Sequence, residues 1–412
     1  MKNLFTYIRN WLRDMGEIIT LEFRALITNP GALIIMLGGT LLYGILYNYM
    51  YGPNVIHNTP IAIVDESRTA TSREFSRMLN ATSDVKVITN DIGFEQAKEL
   101  MKSHDIKGIV YFPREFEKNI ARGEQTTVCV YATTSAFLYY ESVSQAVANC
   151  ALAMGDNIKV EKIGSINAPK ESQLAQVQGI NVVGTAVFNH TEGYGDYLVP
   201  QVMLLVLYQT LVIGIGILAG TQREKNKGEL LSRKATSKRG VMRIVLGKSI
   251  CYLIVYGIIS LFIIGFIPFL FDLPNRASGL NIAAFMIPFL LSTTFIGICL
   301  SVLFHSEESP LLLIVFSSVP LLFLAGTSYP FELLPWYWRI FHYIIPAPLA
   351  TMAFVKLNSM GAEFSQIKME YITLWLQTIV YFVLALFAYS YNIKQIKKAN
   401  ALKAENSQKT NT

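Results

Sequence analysis

Apolar runs of about 20 residues recur along this chain with almost no charge inside them, and one long polar stretch, residues 52–195, separates the first run from the rest. About 20 residues at 1.5 Å each is the length a helix needs to cross a hydrocarbon core roughly 30 Å thick. Lipid offers the backbone no hydrogen-bond partner, so runs of this length and composition are helices. The chain therefore reads as an α-helical integral membrane protein. Its 52% hydrophobic and 16% charged residues agree, being well off the soluble average. Six transmembrane helices are expected in a one-plus-five arrangement: residues 30–51, 196–220, 249–271, 281–304, 310–328 and 369–391.

The stretch from Thr221 to Lys248 fixes the orientation. It carries Arg223, Lys225, Lys227, Arg233, Lys234, Lys238, Arg239, Arg243 and Lys248 against Glu224 and Glu229 alone. A short loop this basic stays cytoplasmic, because Lys and Arg oppose translocation. Lys2, Arg9, Arg13 and Arg24 precede the first span, and Lys394, Lys397, Lys398 and Lys403 follow the last. Both termini are then cytoplasmic and residues 52–195 extracytoplasmic. The net charge of +6 does not indicate nucleic acid, since most of the basic excess flanks spans, where topology and anionic lipid account for it.

Within the basic stretch (221–248), Ser237 is placed to cap a helix beginning near Lys238. Val241, Ile244, Val245 and Lys248 recur at helical spacing. The pattern predicts a short surface helix, a turn, and then the next span. On charge alone, a solvated loop facing lipid headgroups fits equally well. Residues 1–29 predict an amphipathic helix in the membrane interface, with Leu4, Ile8, Trp11, Met15 and Ile18 on one stripe and Lys2, Arg9, Arg13, Asp14 and Glu17 off it. Asn29-Pro30 ends it.

Residues 52–195 predict an α/β domain. Strands are expected at 60–65, 85–89, 107–112 and 126–132, and helices over 71–79, 91–103, 113–122 and from 135 to about 156. The Val and Phe content of 179–190 would return the chain to the sheet. Asp65, Glu66, Arg68, His104, Asp105 and Glu141 form no triad or metal spacing, and Asp65 at a strand end reads as a turn stabiliser. His57, His104 and His190 are scattered. Of four cysteines, Cys129 and Cys150 fall in this domain and Cys251 and Cys299 in apolar runs, with no metal-ligand spacing. A Cys129–Cys150 disulfide is compatible with an extracytoplasmic domain, as are two buried thiols.

Residues 326–358 are apolar but interrupted by Pro330, Pro335, Pro346 and Pro348, which rule out one straight span. Two short helices dipping into the outer leaflet are expected, with Trp336, Tyr337, Trp338 and Tyr343 at headgroup level; packing alone is the alternative. The tail, 392–412, is cytoplasmic, and from Ala399 on it is polar enough to be disordered. Gly247-Lys248-Ser249 is no P-loop, because Met242 stands where the leading glycine must be and no strand precedes it.

Two motifs carry a family resemblance over nearly the whole chain. EKNKGELL…ATSKRGVMRIVLGK resembles the coupling loop of ABC type-2 transporter permeases, with Thr236-Ser237 where that family usually has Thr-Pro. Gly326, Tyr329, Pro330, Glu332, Leu334 and Pro335, with Trp336 and Trp338, are similar to its outer signature. IAIVDESRTATSREF and IKGIVYFPREFEKNIARGE resemble, less specifically, the external domain of some bacterial members. The resemblance implies the permease subunit of an ABC exporter in the bacterial cytoplasmic (inner) membrane. It implies no cofactor and no enzyme activity in this chain, with ATP and Mg bound by a separate ABC ATPase subunit. The implied partners are that ATPase, a second permease copy or paralogue, membrane lipid and a periplasmic adaptor protein, with no nucleic acid. ATPase coupling falls to Glu224, Gly228, Glu229, Arg239 and Lys248. The outer gate falls to Gly326, Tyr329, Pro330, Glu332, Pro335, Trp336 and Trp338. Few ionisable residues lie at span centres, which disfavours proton coupling and permits a hydrophobic or amphipathic cargo such as a drug or lipid. A non-transporting receptor or assembly factor is the alternative, and it would not need an ATPase.

Overall fold

The computed structural model describes residues 2–52, 56–90, 92–133, 137–163, 193–224, 240–271 and 275–410, with residues 188 and 273. The chain divides into two compact units, one formed by residues 1–54 and 187–412, the other by residues 55–186.

Helix α1 spans Lys2–Thr28. Asn29 stops it and starts the next, its Oδ1 accepting from the Ala32 amide at 2.9 Å with Pro30 in the first turn. Helix α2, Pro30–Met50, follows as one candidate span with a wider π-turn over Ile34–Gly39.

The second unit is the predicted α/β fold. In order it contains β1 (Thr59–Asp65), α3 (Ala70–Asn80), β2 (Val85–Thr89), α4 (Phe94–Lys102), β3 (Gly108–Phe112), α5 (Phe116–Arg122), β4 (Cys129–Ala132) and α6 (Phe137–Ile163). The sheet order is β2-β1-β3-β4, with β1 parallel to both neighbours and β4 antiparallel. β1 is apolar on both faces, as a central parallel strand must be. Ile61 and Ile63 pack with Phe75, Leu79 and Val147 on one face, and Ala62 and Val64 with Ala97 and Ile106 on the other. Asp65 holds the turn after β1: its carboxylate accepts from the Arg68 amide at 2.9 Å and the Ser72 hydroxyl at 2.6 Å. Cys129 and Cys150 are free thiols. Apart from Phe188, the return segment expected over 179–190 lies outside the described residues.

The first unit resumes with α7 (Tyr194–Glu224), α8 (Gly240–Leu270), α9 (Gly279–Ser301) and α10 (Ser309–Leu324). Next come α11 (Trp336–Ile344) and α12 (Pro346–Asn358), bent 86° at the break, and α13 (Lys368–Thr410). Among the described residues, α2, α7, α8, α9 and α13 are long and apolar enough to cross a membrane, and the bent pair raises the count to six. α10, expected as a full span, has 16 residues and rises only about 24 Å. α7 is buried along most of its length and packs against α2, α9, α10 and α12. It is the post around which the bundle stands.

Two expectations are corrected. No turn precedes the span after the basic loop: α8 runs unbroken from Gly240 through Ser260, because GVMRIVLGKSICY contains no residue that stops a helix. The tail is not irregular: α13 continues to Thr410, on Lys, Ala, Leu, Glu and Gln, which favour helix. Residues 225–239, with the Ser237 cap, Gly228, Glu229 and Arg239, lie outside the described residues.

Candidate coupling and gating sites

Two acid–base pairs bind α1 to α8. Asp14 pairs with Arg243, and Glu22 pairs with Lys248 at 2.8 Å while also accepting from the Tyr252 hydroxyl. Asp14, Ile18 and Glu22 succeed one another every four residues on one face of α1. They meet Arg243, Gly247 and Lys248 on α8. Gly247 lets the axes approach, since a Cβ there would stand 2.8 Å from Ile18 Cγ2. Glu22 and Lys248 are 3% and 6% exposed at their side chains. A charge so enclosed is tolerable only while its partner and hydrogen bonds are in place. The pair is therefore a fixed link between the N-terminal helix and the span that follows the basic loop.

The loop's other flank is fixed too. Arg223, in the last turn of α7, donates to the carbonyls of Val302 (2.9 Å) and Phe304. Thr221 Oγ1 accepts from Asn29 Nδ2 at 2.8 Å and lies 3.1 Å from the Glu307 carboxylate. A Cβ on Gly220 would stand 2.3 Å from the Ser306 carbonyl oxygen, so α7 and the 302–308 turn touch backbone to backbone. Arg223, Lys248, Ser301, Tyr389 and Asn392 line a cavity of about 30 Å³, large enough for a water molecule. Glu224 closes α7 on its exposed side. Every described route into the loop is thus anchored to the bundle.

At the opposite end, the proline-rich segment has a different construction. Gly326 adopts a left-handed φ of +77° and closes α10: its amide donates to the Phe323 carbonyl, and that of Thr327 to Leu322, at 3.1 and 3.3 Å. This is the Schellman turn, which favours glycine. Thr327 Oγ1 donates to Gln201 Oε1 at 2.7 Å, and the Tyr197 hydroxyl donates to the Thr327 carbonyl at 3.0 Å, joining the turn to α7. Arg339 donates to the carbonyls of Leu334 and Glu332 at 2.8 and 2.5 Å and lies over the Phe331 ring. Buried His342 bonds the Leu324 carbonyl at 2.7 Å. From α13, Gln377 and Tyr381 donate to the carbonyls of Tyr343 and Ile344, the last of α11.

Of the expected gate residues, Gly326, Pro330 and Pro335 shape the backbone: Pro330 precedes the 3-10 turn Phe331–Leu333, and Pro335 precedes α11. Tyr329, Trp336 and Trp338 present exposed rings, Trp336 at 73%, and Glu332 is exposed. Of the expected coupling residues, Lys248 is buried in the α1–α8 junction, Glu224 flanks the loop, and Gly228, Glu229 and Arg239 lie outside the described residues. Asp14, assigned to the polar face of α1, in fact faces α8. Glu22 and Tyr252 went unread. One signal for Glu22 was present: it falls on the buried stripe of Met15, Ile18 and Leu26, and an acid on an apolar stripe calls for a buried partner.

Residues 30–387 match the family described as ABC-2 family transporter protein. That interval takes in the first span, the α/β unit, both flanks of the basic loop and the proline-rich segment. No curated protein matches the chain. A match over most of the chain, on a helical bundle interrupted in sequence by an α/β unit, decides the family: this multi-pass membrane protein belongs to the ABC-2 transporter family.

Proposed function

We propose that the chain is the permease subunit of an ATP-driven exporter, moving a hydrophobic or amphipathic substrate such as a drug or lipid outward. The observation that carries the reading is the family match over residues 30–387, since permeases of this family work with an ABC ATPase. The energy is supplied by that separate ATPase, which binds ATP and Mg. The protein acts as a pair, with a second copy or a paralogue, in a bacterial inner membrane with both termini cytoplasmic.

In this reading the basic stretch 221–248 is the ATPase-docking element, with Glu224, Gly228, Glu229 and Arg239 at the contact. Lys248 has a different part. It is tied to Glu22, so it carries displacement of the loop into α1 and α8 together. Gly326, Tyr329, Pro330, Glu332, Pro335, Trp336 and Trp338 form the outer gate, and the α/β unit (52–195) faces the periplasm, where an adaptor protein can meet it. Coupling of this kind needs an element with two positions that nucleotide biases, and the bent α11–α12 pair is the candidate.

The test is co-purification with an ATPase encoded beside it, followed by charge reversal in the complex. Glu229→Lys and Arg239→Glu are expected to lower transport-coupled ATPase activity with the complex still present in the membrane. Unchanged activity in both variants overturns the docking assignment. Failure to associate with any ATPase overturns the permease reading.

A further inference from the structure

The α/β unit carries a crevice that transport through the spans does not use. It is open, about 890 Å³ in volume, and lies where the carboxyl ends of β1 and β2 meet α3. In open α/β sheets, ligands bind outside the carboxyl ends of parallel strands. Among the described residues its wall carries three arginines and no lysine: Arg68 in the turn after β1, and Arg73 and Arg77 one helical turn apart on α3. All three are exposed, and none makes an ion pair among the described residues.

Among the described residues, the one acid in the wall is Asp65. Each of its oxygens accepts one bond, from the Arg68 amide and the Ser72 hydroxyl, and among the described residues it forms no ion pair with the three arginines. Arg68 and Arg73 are tied to the local backbone. Arg68 sits at a left-handed φ of +52°, rare for a long side chain, and its carbonyl accepts from Arg73 Nη1 at 3.1 Å. Ser76, Asn80 and Thr89 complete the wall with neutral donors and acceptors. Asn80 Oδ1 accepts from the Val87 amide at 2.9 Å, which leaves its amino group for a ligand.

The geometry points to a binding site for a phosphate group carried on a hydroxylated moiety. Guanidinium groups match the paired oxygens of phosphate, where an ammonium supplies only a point charge. Three of them suit a group with up to two negative charges, and the flanking amide and hydroxyls suit sugar- or glycerol-like oxygens. The site rests on the α/β unit alone and stands whether or not the chain transports anything. A phospholipid headgroup and a free organic phosphate share this chemistry, and the experiment separates them.

Full-length protein in a neutral detergent is titrated calorimetrically with glycerol 3-phosphate and, separately, with dihexanoyl phosphatidic acid below its micelle concentration. Saturable binding is expected, weakened about tenfold or more in Arg73→Gln/Arg77→Gln and in Arg68→Asn. Arg114→Gln, whose arginine pairs with Glu66 outside the crevice, should leave binding intact. Binding of glycerol 3-phosphate upholds the site as one for a free organic phosphate; binding of phosphatidic acid alone upholds it as a headgroup site. Absence of saturable binding by both probes, or equal binding by wild type and both crevice variants, overturns it. Arg77 also lies in the last turn of α3, where a cation offsets the terminal carbonyls, so thermal unfolding of each variant is followed alongside. Arg68→Asn lies outside the helix and suits the left-handed backbone, and it carries the test if the double variant does not fold.

Discussion

The junction of α1 with α8 and the seating of α11 are fastened by different means. At the basic end, α1 and α8 are joined side chain to side chain by charges, with Glu22 and Lys248 sealed from solvent. At the proline-rich end, neutral or single charged side chains from α7, α11 and α13 reach backbone carbonyls, as Gln377 does to Tyr343 and Arg339 to Leu334. A buried charge pair is all or nothing, because losing one member strands the other. A set of side-chain-to-carbonyl bonds is incremental, each worth on the order of 1 kcal/mol. The first arrangement sets a fixed distance between two helices. The second lets a bent pair loosen one bond at a time, and elements that open locally are drawn from such regions.

The sharpest way to break this contrast is Glu22→Ala. It should destabilise the protein by about 3–5 kcal/mol in denaturant unfolding, while Glu22→Leu combined with Lys248→Met should recover most of the loss. A cost under about 1 kcal/mol for the single change would show that the junction is no anchor. Thr327→Val comes next. It deprives buried Gln201 of its donor at the opposite end and should cost about 1–3 kcal/mol by the same measurement. A cost matching that of Glu22→Ala would erase the distinction between the ends. Trp336→Ala should change stability by no more than about 0.5 kcal/mol, since its ring is largely exposed. A larger loss would mean that the outer face of α11 is packed in the folded chain.

Much of this architecture was legible in the residues. The spans follow from length and composition, and the strand–helix order of the α/β unit follows from short Val- and Ile-rich runs bounded by turn residues. The bend at 326–358 follows from four prolines. What stayed hidden was the partner of each face. The stripe that includes Met15 and Ile18 reads as facing the membrane interface, yet those two residues are buried and Ile18 meets Gly247 of α8, while among the described residues Leu12, Leu21, Phe23 and Ile27 are the exposed large apolar residues of that helix. A leucine is as content against lipid as against another helix, so hydrophobicity alone does not separate the two. Lys248 is assigned to ATPase coupling through its place in a family motif, and its ammonium lies inside the bundle, paired with Glu22. The Gly-Lys ending of that motif now has a local reason: the glycine admits Ile18, and the lysine beside it meets Glu22.

The pairing of Glu22 with Lys248 also dictates an order of assembly. The two residues are 226 positions apart, so the ribosome finishes α1 long before the complementary charge exists. In that interval α1 can rest among lipid headgroups, where a carboxylate stays hydrated. The newborn chain therefore carries an unfilled socket through the synthesis of the whole α/β unit and α7, and the arrival of α8 both fills it and removes the penalty of bringing a lysine into the bundle. A nascent chain cut off before residue 243 leaves both Asp14 and Glu22 without their partners on α8.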